Sequence, residues 1–411
     1  MKILHICTGF PINFQGGITN YVRTLANEQV NSGMNVYVLG GKAENVNEKF
    51  QYVEHSSVLI PPFSIGKLED KEALNKLEKF IKKEKFDLVH IHMMLDLDWN
   101  LVEILKYNVK YIISLHDYFF LCPRIIMMKS KKELCRKVNL KKCETCISKF
   151  EKDGRIGSVV KKVDSILNLK CFRIDKDIIN LRYKNFKNLL ENANLLLPVS
   201  NRVKEIYEDS GINGKYKVLH IGNSSANNFE KFNKNLYKNN TKIKIVMLGT
   251  LSEHKGSDIL YKILKNCTNE NLEFYFYGRV NKFLQRKFEK VGLKFNGAYK
   301  QEQLRDILVN FDLGLVLSIW EDNGPQVVME MLNNNVPVIG TKMGGITDFV
   351  NSKNGYIFDP YNKKELNSVF DFLNNINKKH IIKLKENINR TTTPTEHMEE
   401  LNKIYLNIIE G

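Results

Sequence analysis

The stretch from residue 311 to residue 350 constrains the fold of this 411-residue chain more than any other. It opens with an apolar run at 313–317, which has the length and composition of a buried parallel strand. A turn follows, then a predicted helix over about 325–332 and a second apolar strand at 336–340. A strand, a helix and a strand in this order predict a βαβ unit, and therefore an α/β fold with parallel sheets.

Polar side chains follow the first of these strands, at the end where open α/β sheets bind ligands. Asn323 or Gly324 is placed to cap the helix, whose free N–H groups and positive dipole end favour a phosphate. Glu330 lies one to two turns into the helix, within reach of a diol such as a ribose, and Asp322 lies on the loop before it. These features predict a site for a phosphate and a neighbouring diol.

The block resembles the signature of the GT-B retaining glycosyltransferases of family 4, in which two acids bracket seven residues before a proline-containing strand and a Gly-Gly turn. The matching pair here is Asp322 and Glu330, so an Asp stands at the position of the first Glu. Glu321, one residue out of register, is the alternative for that acid. The resemblance implies that Glu330 contacts the donor nucleotide. It also implies that the first acid has a catalytic role at the donor sugar, and that Asn323 and Gly324 lie in the donor site.

Two glycines, Gly16 and Gly17, stand between a strand predicted at 3–7 and a helix predicted at 18–29. Glycines at a helix entrance let backbone N–H groups approach an oxyanion closely. In the family that the chain resembles, the corresponding loop faces the diphosphate of the donor. The resemblance therefore places Gly16 and Gly17 in the donor site.

His116 follows a strand predicted at 111–115 and precedes Asp117. A histidine beside an aspartate at a strand end is suited to handle a proton or to hold a sugar, although a structural role explains the pair as well. The pair is similar to the family's His-Asp motif, in which the histidine contacts the donor sugar or the acceptor. The acids of Asp96-Leu97-Asp98 are not interpreted as a metal site, because the fold predicted here is not the one that uses that motif.

A second βα alternation begins at a strand predicted at 243–249. Lys255 follows at a helix entrance and resembles the lysine that grips the donor diphosphate in the family. Thr250 occupies the position of the family's accompanying arginine, and Arg279 is a candidate to replace that cation. Tyr299 lies in a segment that, in the family, contacts the nucleobase.

The charge of the chain is strongly positive and uneven. Its formal net charge is +16, and residues 129–176 alone hold 15 Lys or Arg against 6 Asp or Glu. A local excess of this kind favours an anionic membrane surface or an anionic acceptor as a partner. No apolar run approaches the roughly 18 residues of a spanning helix, and the apolar N-terminal run is too short for a signal peptide. We therefore expect a cytoplasmic protein at the inner face of the membrane, with reduced cysteines.

Four cysteines, Cys122, Cys135, Cys143 and Cys146, fall within 25 residues and are called the cysteine quartet below. A Cys-x-x-Cys pair with two further cysteines in a reducing compartment is typical of a structural four-thiolate zinc site. Ordinary thiols in a solvated, lysine-rich loop are the alternative.

Together these patterns predict an α/β protein of the GT-B class, with two facing, doubly wound Rossmann-like domains and the active site in the cleft between them. The first domain is predicted over 1–222, with a basic insert at about 119–180 and a final helix, 395–411, that packs back on it. The second, nucleotide-sugar-binding domain is predicted over 223–394. A helix predicted at 201–209 and a strand predicted at 217–221 end the first domain, and residues 222–241, which are rich in Asn, Lys and Ser, are predicted as the interdomain linker.

The resemblance implies transfer of a sugar from a UDP- or GDP-sugar to a hydroxyl of a saccharide or lipid-linked acceptor. It implies a retained anomeric configuration, no catalytic metal, and a place in surface polysaccharide or glycolipid assembly. Two alternatives stay open: another nucleotide-sugar enzyme of similar fold, such as an epimerase, and a basic nucleic-acid or membrane-binding protein without catalysis. The second domain lacks the interleaved aromatic residues of RNA-binding surfaces, so no nucleic-acid partner is expected.

Overall fold

The computed structural model of the protein describes residues 1–7, 10, 16–41, 43, 46–54, 71–93, 101–129, 133–146, 176–237 and 242–411. The chain divides into two compact units: residues 1–219 with 398–411, and residues 220–397. Three predicted features lie outside the described residues in whole or in part: the loop before Gly16 at residues 9 and 11–15, the Asp96-Leu97-Asp98 motif, and residues 147–175 of the basic insert. Among the described helices, none is both long enough and apolar enough to cross a membrane.

The first unit is built on a parallel six-stranded sheet with the order β3-β2-β1-β4-β5-β6. Its strands are β1 Lys2–Ile6, β2 Asn35–Gly40, β3 Gln51–Glu54, β4 Leu88–Ile91, β5 Tyr111–Leu115 and β6 Leu195–Pro198. Its described helices are α1 Gly17–Asn31, α2 Lys71–Glu84, α3 Leu101–Asn108, α4 Leu140–Cys146, α5 Lys176–Glu191 and α6 Asn201–Asp209. Strands β1, β4 and β5 are mostly apolar and buried, as expected of a parallel sheet covered on both faces, whereas the edge strand β3 is exposed at both ends.

The second unit repeats this plan with a parallel sheet of order β12-β11-β10-β7-β8-β9. Its strands are β7 Ile243–Thr250, β8 Leu272–Arg279, β9 Leu293–Phe295, β10 Leu313–Val316, β11 Val338–Thr341 and β12 Gly355–Phe358. Its helices, with the last one ending in the first unit, are α7 Ser257–Asn266, α8 Lys282–Glu289, α9 Leu304–Leu308, α10 Gln326–Asn333, α11 Ile346–Phe349, α12 Lys363–Asn375, α13 Lys378–Glu386 and α14 Pro394–Glu410.

Both sheets are doubly wound, and the strand order reverses between β1 and β4 in one and between β7 and β10 in the other. The crevice at the carboxyl ends of the two strands beside such a reversal is the usual ligand site of an open α/β sheet. The predicted α/β class and the two doubly wound sheets are confirmed.

The last helix contributes to the core of the first unit. Leu401, Ile404 and Tyr405 of α14 are buried against Ile3 and Leu88 of its sheet. The Tyr405 hydroxyl also lies 2.6 Å from His90 Nδ1, inside that core.

The segment at 222–241, predicted as the interdomain linker, is instead a packed part of the second unit over its described residues. Ala226 is buried, the Asn333 side chain donates to Ser225 Oγ at 2.9 Å, and Lys231 Nζ donates to the Ile388 carbonyl at 2.6 Å. The Asn-, Lys- and Ser-rich composition is typical of linkers, but here Ser225 and Lys231 form hydrogen bonds with other residues of the second unit.

Two local predictions are also wrong. The strand predicted at 217–221 runs beside β6, with Lys217 N–H donating to the Leu196 carbonyl, but forms only an isolated bridge. The helix cap predicted at Asn323 or Gly324 is displaced, because α10 begins at Gln326 and Pro325 occupies the N-cap position.

Candidate active site

The reversal point of the second sheet brings two loops together. β7 and β10 are neighbours, so the loop at 251–256 after β7 meets the loop at 317–325 after β10. Lys255 Nζ lies 2.7 Å from Asp322 Oδ2, and Ser318 Oγ donates to the same carboxylate oxygen at 2.9 Å. Lys255 Nζ also lies 5.2 Å from the centre of the Trp320 ring, within cation–π range. The predicted residues Lys255 and Asp322 are therefore adjacent.

Two glycines permit the close approach of these loops. Gly256 has φ of 83°, and a Cβ atom there would lie 1.9 Å from the Leu317 carbonyl oxygen. Gly344 has φ of 57°, and a Cβ atom there would lie 2.0 Å from the Asp322 carbonyl oxygen. Only glycine fits both the left-handed backbone and the space at these positions.

The two candidate acids of the loop make different contacts. Glu321 is 2% exposed, and its Oε2 accepts a hydrogen bond from the Gly344 backbone at 2.8 Å, so its carboxylate braces the Gly-Gly turn. Asp322 directs its carboxylate to Lys255, while its carbonyl accepts from the Gly345 N–H at 2.7 Å. The structure thus places Asp322, and not Glu321, beside the lysine.

Glu330 lies on the second turn of α10 and is only 7% exposed. Its Oε1 accepts a hydrogen bond from Gln301 Nε2 at 2.9 Å. Burial raises the pKa of the Glu330 carboxyl, and the Gln301 hydrogen bond opposes that shift. Tyr299 is close enough to the Glu330 carboxylate to be affected by its charge. Burial, together with that charge, raises the pKa of the Tyr299 phenol to about 12. Tyr299, Gln301 and Glu330 therefore form a second cluster. The buried Glu330 carboxylate accepts from Gln301 and has the capacity to accept further hydrogen bonds, which would stabilise its charge.

Three buried polar atoms near these loops lack a hydrogen-bond partner among the described residues: Asn323 Oδ1, Ser252 Oγ and Trp320 Nε1. An unsatisfied buried donor or acceptor costs about 1–3 kcal/mol, so a polar ligand at this edge of the sheet would remove a free-energy penalty. Asn323 belongs to the predicted set. Ser252 and Trp320 were not predicted as site residues, although they stand in the loops that follow β7 and β10.

Thr250, at the position of the family's arginine, ends β7 and pairs in register with Arg279 at the end of β8. Both residues are exposed. The Leu251 N–H donates to the Arg279 carbonyl at 3.1 Å, which ties the two strand ends together. The Arg279 guanidinium makes no hydrogen bond or ion pair with any residue that the structure describes. A cation is therefore present beside Thr250, on the neighbouring strand.

The first unit contains a hydrogen-bonded series of three histidines across its sheet, called the histidine row below. His5 lies on β1, His92 follows β4 and His116 follows β5. His5 Nδ1 lies 2.9 Å from His92 Nε2, and His92 Nδ1 lies 3.1 Å from His116 Nε2. The series ends at Gln29, whose Oε1 lies 2.7 Å from His5 Nε2. His116 was predicted from the sequence, whereas His5 and His92 were not.

The histidine row fixes which ring nitrogens carry protons. A Gln29 oxygen only accepts, so His5 donates through Nε2 and its Nδ1 accepts. His5 is neutral at pH 7, because burial lowers its pKa to about 4. A neutral His92 then donates from Nε2 and accepts at Nδ1, so that His116 donates from Nε2. A neutral His116 consequently has its lone pair on Nδ1, and that nitrogen is a hydrogen-bond acceptor.

Two neighbours of the row complete this region. His90, which pairs with His5 in the sheet, contacts Ser114 Oγ at 2.8 Å and the Tyr405 hydroxyl. Nitrogens of His5, His90 and His92 lie within 4.8 Å of one another, but these rings contact their neighbours through hydrogen bonds, so we interpret them as a polar network. Burial raises the pKa of Asp117, the residue after His116, to about 7.

Gly16 and Gly17 lie at the entrance of α1, which follows β1 at the reversal point of the first sheet. Both are exposed, and a Cβ atom at either would meet no atom of the described residues within 4 Å. The predicted pair is therefore accessible on the side that the structure describes.

The comparisons with known proteins agree with these two units. The model of the family described as "Glycosyl transferases group 1" matches residues 228–390, and that described as "Glycosyltransferase Family 4" matches residues 15–153. Protein CapJ of Staphylococcus aureus is 30% identical over 227 residues, which are 52% of this chain and 50% of CapJ. The chain thus spans about half the length of that relative.

Two solved structures share the fold. HepE of Anabaena, in complex with UDP, has a TM-score of 0.64 at 14% identity and covers 99% of this chain and 100% of its own. WaaG, a glycosyltransferase involved in lipopolysaccharide biosynthesis, has a TM-score of 0.55 at 14% identity and covers 98% of this chain and 99% of its own. The fold is therefore GT-B. The chain belongs to the family 4 glycosyltransferases, as its sequence resemblance predicted.

Proposed function

We propose that the protein is a retaining glycosyltransferase that moves a sugar from a UDP- or GDP-sugar to a hydroxyl of a saccharide or lipid-linked acceptor. The observation that carries this proposal is the pairing of Lys255 with Asp322 at the reversal point of the second sheet, on the unit that also holds the buried Glu330. A cation suits a diphosphate, and a buried carboxylate with capacity for further donors suits the two hydroxyls of a ribose.

The remaining donor-binding residues follow from this arrangement. Tyr299 stands beside Glu330 and offers a ring for the nucleobase. Asn323 contributes its unpaired Oδ1, and Gly324 precedes the free N–H groups of α10, which favour a phosphate. Gly16 and Gly17, at the entrance of α1, are assigned to donor binding by the family resemblance. The UDP bound to HepE supports a uridine nucleotide as the donor.

In the proposed reaction the bond between the anomeric carbon and the diphosphate breaks, and the acceptor oxygen bonds to that carbon on the same face. The acceptor proton passes to the departing phosphate oxygen, so no protein nucleophile and no catalytic metal are required. Lys255 stabilises the charge that develops on the diphosphate, and Asp322 holds the lysine in place. His116 accepts a hydrogen bond from a sugar or acceptor hydroxyl at Nδ1, which orients it for the transfer.

His92 is proposed as the positioning residue that fixes the tautomer of His116. His92→Phe removes both hydrogen bonds of the ring, so His116 is free to protonate at either nitrogen. We expect the kcat to fall on the order of tenfold or more, with the KM for the donor nearly unchanged. His397→Gln, which removes a buried histidine outside the row, is the control. Nitrogen NMR should show Nε2–H at His116 in the parent protein and a mixture in His92→Phe; an unchanged tautomer would contradict the assignment.

The acceptor is proposed to be carried on an anionic membrane that the enzyme visits peripherally, from the cytoplasmic face. The 15 basic residues of 129–176 support this, as does the role of WaaG in lipopolysaccharide biosynthesis. Each Lys or Arg near an anionic leaflet contributes about 1 kcal/mol, so four of them give roughly millimolar attachment. Such weak attachment still biases the enzyme toward a lipid-linked substrate.

Charge reversal tests the membrane contact. Lys137→Glu with Lys141→Glu changes two exposed residues of the basic segment and is expected to weaken sedimentation with anionic vesicles by at least about tenfold at low salt. Lys282→Glu with Lys363→Glu, also exposed but in the second unit, is the matched control. Vesicle binding that does not depend on the lipid charge, or an equal loss of binding in both double variants, would contradict the proposal.

Turnover of a panel of UDP-, GDP- and ADP-sugars with saccharide and lipid-linked acceptors tests the function as a whole. We expect one donor to give a product whose anomeric proton coupling, measured by NMR, matches that of the donor. Inversion would refute the retaining mechanism. Isomerised sugar without any acceptor would favour an epimerase, and salt-dependent nucleic-acid binding without nucleotide-sugar binding would favour a non-enzymatic binder.

A further inference from the structure

The four thiols of the cysteine quartet line one cavity in the first unit. Three chain segments bring them there: Cys122 follows β5, Cys135 lies in the next loop, and Cys143 and Cys146 stand one turn apart on α4. The cavity has a volume of about 300 Å³, which is ample for a metal ion and the sulfur atoms around it. None of the six cysteines that the structure describes forms a disulfide. The spacing in the sequence thus corresponds to convergence in space.

The backbone around these thiols is arranged to hold sulfur in place. The Cys146 thiol donates to the Lys129 carbonyl at 3.8 Å, and the backbone from Arg124 to Met127 passes beside Cys122. Cys135 N–H donates to the Met127 carbonyl at 2.7 Å, next to an antiparallel bridge between Met128 and Leu134. These contacts hold the segments that carry Cys122, Cys135 and Cys146 against one another.

Two residues between the first two cysteines have a left-handed backbone without being glycine. Ile125 has φ of 67° and Met127 has φ of 50°. Such a conformation is unfavourable, above all for a β-branched residue such as Ile, and persists where the surroundings compel it. A bound metal that closes the loop from Cys122 to Cys135 provides such a constraint.

A buried cation stands beside the cavity. Arg182 of α5 is 2% exposed, and its guanidinium donates to the backbone carbonyls of Phe119 and Phe120. The same guanidinium interacts electrostatically with Cys122 and Cys143. Four thiolates around Zn²⁺ leave a net charge of −2, and a neighbouring arginine offsets part of it.

We propose that Cys122, Cys135, Cys143 and Cys146 bind one structural Zn²⁺ ion, which fixes the loop after β5 to α4. The four sulfurs do not stand at ligand spacing in this structure, since no three of them lie within 4.8 Å of one another. Binding of the ion would require the four side chains to rotate into their common cavity, to a Zn–S distance of about 2.3 Å. The site is separate from the proposed transfer chemistry and does not depend on it.

Elemental analysis of the purified full-length protein tests the site directly. We expect about one zinc per chain, lost in the Cys143→Ser, Cys146→Ser double variant and kept in Cys267→Ser, which changes a thiol of the second unit. Zinc retained by the double variant would overturn the proposal, because two of the four ligands would then be dispensable.

A second measurement covers the case in which the double variant does not fold. In the intact protein, a thiol reagent is expected to release the zinc as the four cysteines react, and a zinc indicator follows the release. Replacement by Co²⁺ is expected to give the absorption of tetrahedral cobalt bound to thiolates. A protein without zinc that takes up neither zinc nor cobalt would show the quartet to be ordinary thiols.

Discussion

Replacement of Glu330 by alanine or glutamine is expected to weaken nucleoside-diphosphate binding by at least about tenfold, measured by calorimetry. A carboxylate that accepts from two ribose hydroxyls makes charge-assisted hydrogen bonds of roughly 1.5–3 kcal/mol each, and every 1.4 kcal/mol is about a factor of ten in affinity. Glutamine keeps the volume of the side chain and its hydrogen bond from Gln301, so it isolates the loss of charge.

The pH dependence gives the same test a second readout. Burial raises the pKa of Glu330, and ribose hydroxyls favour its charged form. Binding therefore weakens as the pH falls through that raised pKa, and Glu330→Gln should lose this dependence. The free energy of unfolding should depend on pH in the opposite direction. Because the pKa of Glu330 is raised in the folded state, the folded protein gains stability as the pH falls and loses it as the pH rises. The Glu330→Gln variant should therefore unfold no more easily than the parent protein at pH 7. Glu386→Ala, at an exposed site on α13, is the control. Unchanged affinity in both Glu330 variants would remove this residue from the nucleotide site.

Replacement of Lys255 by alanine is expected to lower the kcat by on the order of a hundredfold, as for loss of one preorganised group that stabilises charge in the transition state. Charge on the diphosphate grows as the bond to the sugar breaks, so the kcat should fall more than the donor affinity. Lys262→Ala, which changes an exposed lysine of α7, is the matched control. Steady-state rates at saturating donor measure the effect.

The size of the Lys255 effect depends on whether Arg279 also stabilises the charge on the diphosphate. Arg279 pairs in register with Thr250, which by the family resemblance takes the place of an arginine. If Arg279 supplies that charge, Thr250→Arg should restore activity to an Arg279→Ala variant. Near-normal turnover of Lys255→Ala in the presence of Arg279 would assign the main charge-stabilising role to Arg279.

The secondary structure was predicted best where hydrophobic periodicity is strong. β5 at Tyr111–Leu115 and α6 at Asn201–Asp209 begin and end where the pattern predicts. The pairing of Lys255 with Asp322 was also within reach of sequence analysis, since two loops at neighbouring strand ends must meet at the reversal point. The helix cap could not be predicted in this way, because Pro325 fixes its own φ and takes the N-cap position, one residue after Gly324.

Contacts that depend on which strands become neighbours were beyond the sequence pattern. His5 and His92 are 87 residues apart, and their hydrogen bond exists only because β1 and β4 pair. Gln301, the partner of Glu330, lies 29 residues away from it on a short 3-10 helix that no periodicity indicates. The prediction for the segment after residue 222 failed for a related reason. Its composition is that of a linker, but Ala226 is buried and Phe229 packs against the core of the second unit.

Amide hydrogen exchange with and without a nucleotide sugar tests the central claim, that the reversal point of the second sheet binds the donor. We expect UDP-sugar, or GDP-sugar if it is the donor, to slow exchange at residues 251–256 and 321–330, where free backbone N–H groups and the carboxylates of Asp322 and Glu330 gain partners. Slowed exchange confined to other parts of the chain, with these two segments unchanged by every nucleotide sugar, would contradict the account.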